Sequence, residues 1–202
     1  MTAPDAASPQ PDDARQDTKK RILDMAETLL LTRGFNAFSY QHISSSLGVK
    51  NAAIHYHYPK KNHLGVAVIQ RYRRRFQRFV DAQAGLSSVA QLEAYFALST
   101  RYYDQDQQIC PSGILSAEYH VLPEDMQTEA AAFVAEMRDW AVQILREGQA
   151  RGELQFAGTP QAMAAVMFAA LQGALQLARL DPDILLQIKT QLRALLNAPT
   201  DA

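Results

Sequence analysis

The stretch from Ser39 to Leu64 reads SYQHISSSLGVKNAAIHYHYPKKNHL. It holds two short amphipathic helical patterns on either side of Gly48, followed by a proline stop and a lysine pair, which is the layout of a helix-turn-helix unit. Ser39 is suited to cap the first of these helices, in which Ile43 and Leu47 stand four residues apart before Gly48 ends it. The second spans about residues 51–57. Positions three and four apart share a helix face, so Ile54, His57 and Tyr58 turn inward while Asn51, Ala52, His55 and Tyr56 stay outside. Pro59 stops this helix because it has no N–H to donate and biases Tyr58 away from helical angles. His57, on the inward side, reads as a packed core histidine rather than a ligand.

In a helix-turn-helix the second helix enters the major groove of double-stranded DNA with its N-terminal residues nearest the base edges, while the preceding helix lies across the backbone. Lys50, Asn51, Ala52 and Tyr56 are thereby placed at the duplex. Asn51 can offer a donor and an acceptor to adenine, Lys50 can donate to guanine, and the Ala52 methyl can meet a thymine methyl. Thr18 and Lys19, at the start of the helix before the unit, and Ser39 and Tyr40, at the start of its first helix, offer phosphate contacts at helix N-termini. Lys60 and Lys61 follow the proline and face the flanking phosphates, and His55 can hydrogen-bond a phosphate even when neutral. The plainer alternative is a helix pair that only packs, with His55 and Tyr56 as ordinary surface residues.

Charge weighs against that alternative. Residues 18–80 carry a net +10, residues 81–202 carry −8 and the first 17 carry −3, so the overall −1 hides a dipolar chain. A basic module facing a polyanion, joined to an acidic module that does not, fits this division.

Outward from the unit, the chain is all-α. Residues 1–16 are rich in Ala, Pro, Asp and Gln without apolar period and read as a disordered tail. Ile22, Ala26, Leu29 and Leu30 give a helix over about 17–33 that stops at Gly34. A long helix follows over about 61–82, with Leu64, Val68, Tyr72, Phe76, Phe79 and Val80 as its apolar stripe and Arg71, Arg74, Arg75 and Arg78 on the other side. At about 1.5 Å rise per residue, Arg78 lies some 25 Å from Lys61, so the arginine row reads as a solvated face or as ion pairs to the acidic half rather than a duplex contact. Further helices are expected at 88–104, 112–120, 123–151, 160–180 and 182–197, with Pro123, Pro160 and Pro182 in first turns and Thr159 and Asp181 as caps. No alternating strand and no internal repeat is evident.

With 202 residues, 48% of them hydrophobic, the chain can bury one sizeable core or two smaller ones. It has no apolar run long enough to span a membrane and no secretory leader pattern, which points to the cytoplasm. The single cysteine, Cys110, excludes an intrachain disulfide and a cysteine-rich zinc site. Neither metal nor cofactor is needed to explain the fold.

The second half offers less specific signals. Ala165, Ala169 and Gly173 are spaced by four with Leu177 next in the row, so this helix can approach a partner closely, and Leu185, Ile188, Leu192 and Leu195 give the last helix an apolar face. Two such helices from each subunit would form a four-helix homodimer interface; packing within one chain is the alternative. Tyr102, Tyr103, Phe133, Met137, Trp140, Met163 and Met167 can line an adaptable cavity, with Glu118, Tyr119 and His120 as polar contacts, or they can be plain core. Cys110 precedes Pro111 at a break between helices, where a thiol can be accessible to oxidants or electrophiles or else inert. An enzyme built on Cys110, His120 and Glu118 as nucleophile, base and orienter is the rival from another class, although helix geometry gives these side chains no reason to converge.

Residues 18–65 resemble the TetR family of bacterial transcriptional regulators. The resemblance is carried by the entry helix ILDMAETLLLTRGF, the segment FSYQHISSSLGV and the segment AIHYHYPKKNHL with its aromatic, proline and lysine ending. The chain departs from the family pattern at Ala52, where glycine is common, at His55, where a phosphate-binding tyrosine is common, and at Tyr58, where phenylalanine is common. The resemblance implies an N-terminal three-helix DNA-binding domain over 17–65 and a larger C-terminal helical bundle over 66–202 that binds an effector and dimerises. It also implies a homodimer on a pseudo-palindromic operator, usually a repressor, released when a small molecule fills the C-terminal domain. The segment ICPSGILSAE is similar to one in redox or electrophile-responsive members of the family.

Overall fold

The computed structural model describes residues 11–104 and 110–198. Among them are nine α-helices and no strand: α1 (Pro11–Arg33), α2 (Tyr40–Leu47), α3 (Asn51–His57), α4 (Lys61–Ala82), α5 (Ser88–Asp104), α6 (Pro111–Ala117), α7 (Glu124–Arg151), α8 (Pro160–Leu177) and α9 (Ile184–Leu195). A single 3₁₀ turn, Tyr119–Val121, links α6 to α7. Contacts divide the chain into two compact units at Val68 and Ile69, a boundary that falls inside α4.

The first unit is built on α1, α2 and α3. Ile22, Ala26, Leu29 and Leu30 are buried on one side of α1, as their spacing requires, together with Ile43 of α2, Ile54 of α3 and Leu64 of α4. Phe35 and Phe38 meet edge to face with centroids 5.9 Å apart. Helix α2 ends at Gly48, whose φ of +65° is left-handed and whose N–H donates to the Ser44 carbonyl. A Cβ there would meet nothing within 4 Å, so glycine is required by the backbone angle alone.

Helix α1 already covers Pro11, ahead of the start expected near residue 17. Of the expected disordered tail, residues 11–16 are therefore helical, and residues 1–10 lie outside the described residues.

The second unit gathers α5 to α9 and the rest of α4 around an aromatic cluster. The Trp140 ring of α7 meets Phe76 at 5.8 Å, Phe79 at 5.5 Å and Tyr95 at 5.6 Å, and Phe133 stacks on Tyr72 at 6.1 Å. Two charged clamps frame this core. Arg73 donates to Glu129 at 2.5 Å and to Glu136 at 2.5 Å, tying α4 to α7. Arg193 of α9 binds both oxygens of Glu93 of α5 at 2.6 Å. Arg73, which was not in the arginine row read from the sequence, makes ion pairs to acidic residues of α7, and Arg74, Arg75 and Arg78 of that row are exposed. Helix α8 starts as its cap and proline require: the Thr159 hydroxyl accepts from the Ala162 N–H at 3.2 Å.

Candidate nucleic-acid interface

Helix α3, seven residues or nearly two turns, is pinned by a single buried anchor. Ile54 is fully buried while Tyr56, two residues on, is 68% exposed, and Lys50, Asn51 and Ala52 are exposed at the helix start. The Asn51 amide donates to Gln41 Oε1 of α2 at 3.2 Å, and Gln41 in turn donates to Ser45 Oγ at 3.3 Å. This chain fixes the Asn51 side chain while leaving its carbonyl oxygen and second N–H for a base edge, the pair that adenine requires. Gln41 was not singled out from the sequence, because nothing local connects positions ten residues apart.

The C-terminal end of α3 is held from α2. The Tyr40 hydroxyl donates to the Tyr58 carbonyl at 2.6 Å, and Tyr40 is buried. Burial, with Tyr58 adding to it, pushes the Tyr40 phenol up to about 12. Tyr40 is accordingly a strut inside the unit; the phosphate contact expected of its side chain is replaced by this internal bond, and only its backbone N–H faces the start of α2. Ser39 is exposed, and its own N–H donates to His42 Nδ1 at 3.1 Å.

Lys61 also turns inward. Its ammonium donates to the Phe35 carbonyl at 2.5 Å and sits over the Phe35 and Phe38 rings at 4.3 and 4.5 Å. A cation that satisfies a carbonyl just past the end of α1 and lies on two ring faces is held there by charge-assisted hydrogen bonding and cation–π attraction. Lys60, of which the same contact was expected, is exposed.

Three further expectations change. Thr18 and Lys19 lie well inside α1, not at its start, so their backbone N–H groups are taken up in the helix. His55 packs edge to face on Tyr40 at 4.8 Å and its Nδ1 meets the Pro59 carbonyl at 3.3 Å. A carbonyl only accepts, so Nδ1 donates to Pro59 and is taken up within the chain, which leaves Nε2 as the ring atom that can face a phosphate. His57 is half-exposed rather than a core histidine, and with Ala53 and Tyr56 it faces Arg15 and Thr18 of α1 across a groove of about 400 Å³. Arg15 was missed because the sequence reading placed it in the disordered tail.

In the second unit, Ala165, Ala169, Gly173 and Leu177 all lie exposed along α8, with Val166 beside them. On α9 the face differs from the one expected: Leu185 and Leu192 are 5% and 2% exposed and belong to the core, Ile188 is half-buried, and the outward leucines are Leu186 and Leu195. Leu185 packs with Cys110, Ala174, Leu175 and Ala178, which occupies it within the chain.

Burial differs among the residues expected to line a cavity. Phe133, Met137, Trp140 and Met167 are buried in the core, Met163 and Tyr103 are half-buried, and the Tyr103 hydroxyl donates to the Ala178 carbonyl at 2.9 Å. The Tyr102 side chain lies outside the described residues. Cys110 is 6% exposed, with its sulfur 3.1 Å from Ser112 Oγ, rather than an accessible thiol. It starts α6, whereas Glu118 is half-buried at the far end of that helix and His120 is exposed beyond it, stacked edge to face on Tyr119 at 5.5 Å.

Comparison with known proteins agrees with this arrangement. The sequence profile of "Bacterial regulatory proteins, tetR family" matches residues 22–68, and that of "Tetracyclin repressor-like, C-terminal domain" matches residues 88–191. The chain is 28% identical over 161 residues to the transcriptional regulator AcuR of Cereibacter sphaeroides, covering 75% of this chain and 72% of that one. It is 28% identical over 163 residues to the HTH-type transcriptional repressor NemR of Escherichia coli, covering 78% and 82%. A TetR-family transcriptional regulator from Agrobacterium tumefaciens superimposes with a TM-score of 0.84 at 30% identity, over 90% of this chain and 99% of that one. The chain belongs to the TetR family of bacterial transcriptional regulators, proteins that bind DNA.

Proposed function

We propose that the chain is a repressor that binds a pseudo-palindromic operator as a homodimer through residues 17–65 and is released when a small molecule occupies the domain formed by residues 66–202. The observation that carries the DNA-reading half is the exposed edge of Asn51, Ala52 and Tyr56, set on a helix whose only buried residue is Ile54. Asn51 and Lys50 read bases; Lys19, Lys60 and the backbone N–H groups at the start of α2 hold phosphates. The exposed small-residue row of α8, together with Val166, Leu186 and Leu195, supports a second copy of the chain as the partner of the other unit. Release follows if the effector binds better to a dimer whose two reading helices no longer match successive major grooves; a ligand with equal affinity for both states would regulate nothing.

The reading is tested by offering the purified chain a pool of random duplexes. Enrichment of an inverted repeat, and loss of that preference in Asn51→Ala with nonspecific binding retained, is the expected result. A pool that stays random through repeated rounds at low salt would remove the reading.

A further inference from the structure

The groove between α1 and α3 brings the Arg15 guanidinium and the His57 imidazole to one site, on the α1 side of Tyr56. Arg15 and Thr18 come from α1, and Ala53, Tyr56 and His57 from α3. The Tyr56 ring lies edge to face beside His57 at 5.1 Å, forming one wall. We propose that this groove is a phosphodiester site for operator DNA in which Arg15 and a protonated His57 grip one backbone phosphate, so that binding of the duplex takes up a proton at His57. This rests on the first unit being the operator-binding domain.

The chemistry follows from what faces the imidazole. Partial burial, then the charges of Lys19 and Arg15, hold His57 below the usual imidazole value of 6.5, which favours the neutral ring in the free protein. The two charges that act on the ring, those of Lys19 and Arg15, are both cationic. A phosphate entering the groove reverses the sign of the local field: it neutralises Arg15 and favours the imidazolium, whose ring N–H then donates to a phosphate oxygen. Thr18 adds a hydroxyl donor to the same anion. The proton is drawn from solvent, so affinity rises as pH falls through the phosphate-bound titration of His57 and levels off below its titration in the free protein, with a slope of at most about one log unit per pH unit for each copy bound.

The experiment uses the full chain and a labelled duplex enriched from a random pool by the wild-type protein, at fixed ionic strength between about pH 8 and about pH 6. Wild type is expected to bind more tightly at the lower pH. His57→Gln, which keeps a polar side chain but cannot become cationic, is expected to match wild type at the high end and to lose the gain at the low end. Arg15→Ala is expected to weaken binding and to lower the salt slope by about 0.9 for each copy bound. It should also raise the titration of the His57 ring in the free protein, followed by NMR. Identical pH dependence in wild type and His57→Gln, or an Arg15→Ala variant with unchanged affinity and salt slope, would overturn the proposal while leaving the operator reading intact. A wild-type chain with no duplex preference would overturn both.

Discussion

Replacing Lys61 with Met separates two positions for this side chain that the sequence could not distinguish. Methionine keeps the length and apolar stem but removes the ammonium that binds the Phe35 carbonyl and lies over two rings. A hydrogen bond to a charged group contributes about 1.5–3 kcal/mol and each cation–π contact at a partly exposed site about 0.5–1 kcal/mol. Against that stand the desolvation of a half-buried ammonium and the ordering of a long side chain, both relieved by methionine, so a net loss of about 2 kcal/mol is expected. Hydrogen exchange is the assay, because it resolves peptides within residues 22–68 from those of the second unit. Faster exchange is expected in the peptides holding Phe35, Phe38 and the start of α4. Lys60→Met should leave exchange unchanged and lower the salt slope of DNA binding instead. If Lys61→Met changes exchange by less than about 0.5 kcal/mol while cutting the salt slope, Lys61 faces the duplex in solution and its assignment as an internal cap is refuted.

Gly48→Ala is expected to destabilise the first unit by about 1 kcal/mol in urea unfolding, because the cost is the left-handed φ and not a clash; Gly48→Asn should recover part of it. Glu129 lies among groups that act in opposite directions. Burial raises its carboxyl pKa, but hydrogen bonds from Gln70 and Arg73 outweigh this and leave it lowered. A carboxylate depressed in the folded state stabilises above its unfolded pKa and ceases to do so as pH falls through the folded value. Glu129→Gln is therefore expected to cost about 1 kcal/mol near pH 7, after allowance for solvent screening, and nothing at acid pH where both forms are neutral. Paired Leu186→Asp and Leu195→Asp substitutions should shift sedimentation toward monomer with the helical circular dichroism intact.

Helix positions were largely legible, since apolar period, glycine stops and first-turn prolines are local signals, and α3 and α4 begin and end, and α5 begins, where the sequence places them. The helical reach of α1 over residues 11–16 was not, because that stretch has no apolar period to mark a face. Exposure of Asn51, Ala52 and Tyr56 followed from helix geometry and one inward isoleucine. The roles of Tyr40 and Lys61 did not, because their partners, the carbonyls of Tyr58 and Phe35, lie 18 and 26 residues away. The same holds for α9, which has leucines on more than one face: periodicity offered Leu185 and Leu192, and only the packing of Leu185 against Ala174 and Ala178 shows which leucines are taken.

The central claim is that the edge of Asn51, Ala52 and Tyr56 reads a duplex that neighbouring cations hold by its phosphates. Its most direct test is the salt dependence of binding to the enriched duplex, compared between wild type and Asn51→Ala. The account expects log affinity to fall steeply with log salt in both, at about 0.9 for each phosphate contacted, with Asn51→Ala displaced to weaker binding by about 1–3 kcal/mol at the same slope. A flat salt dependence, or an Asn51→Ala variant as selective as wild type, would contradict it.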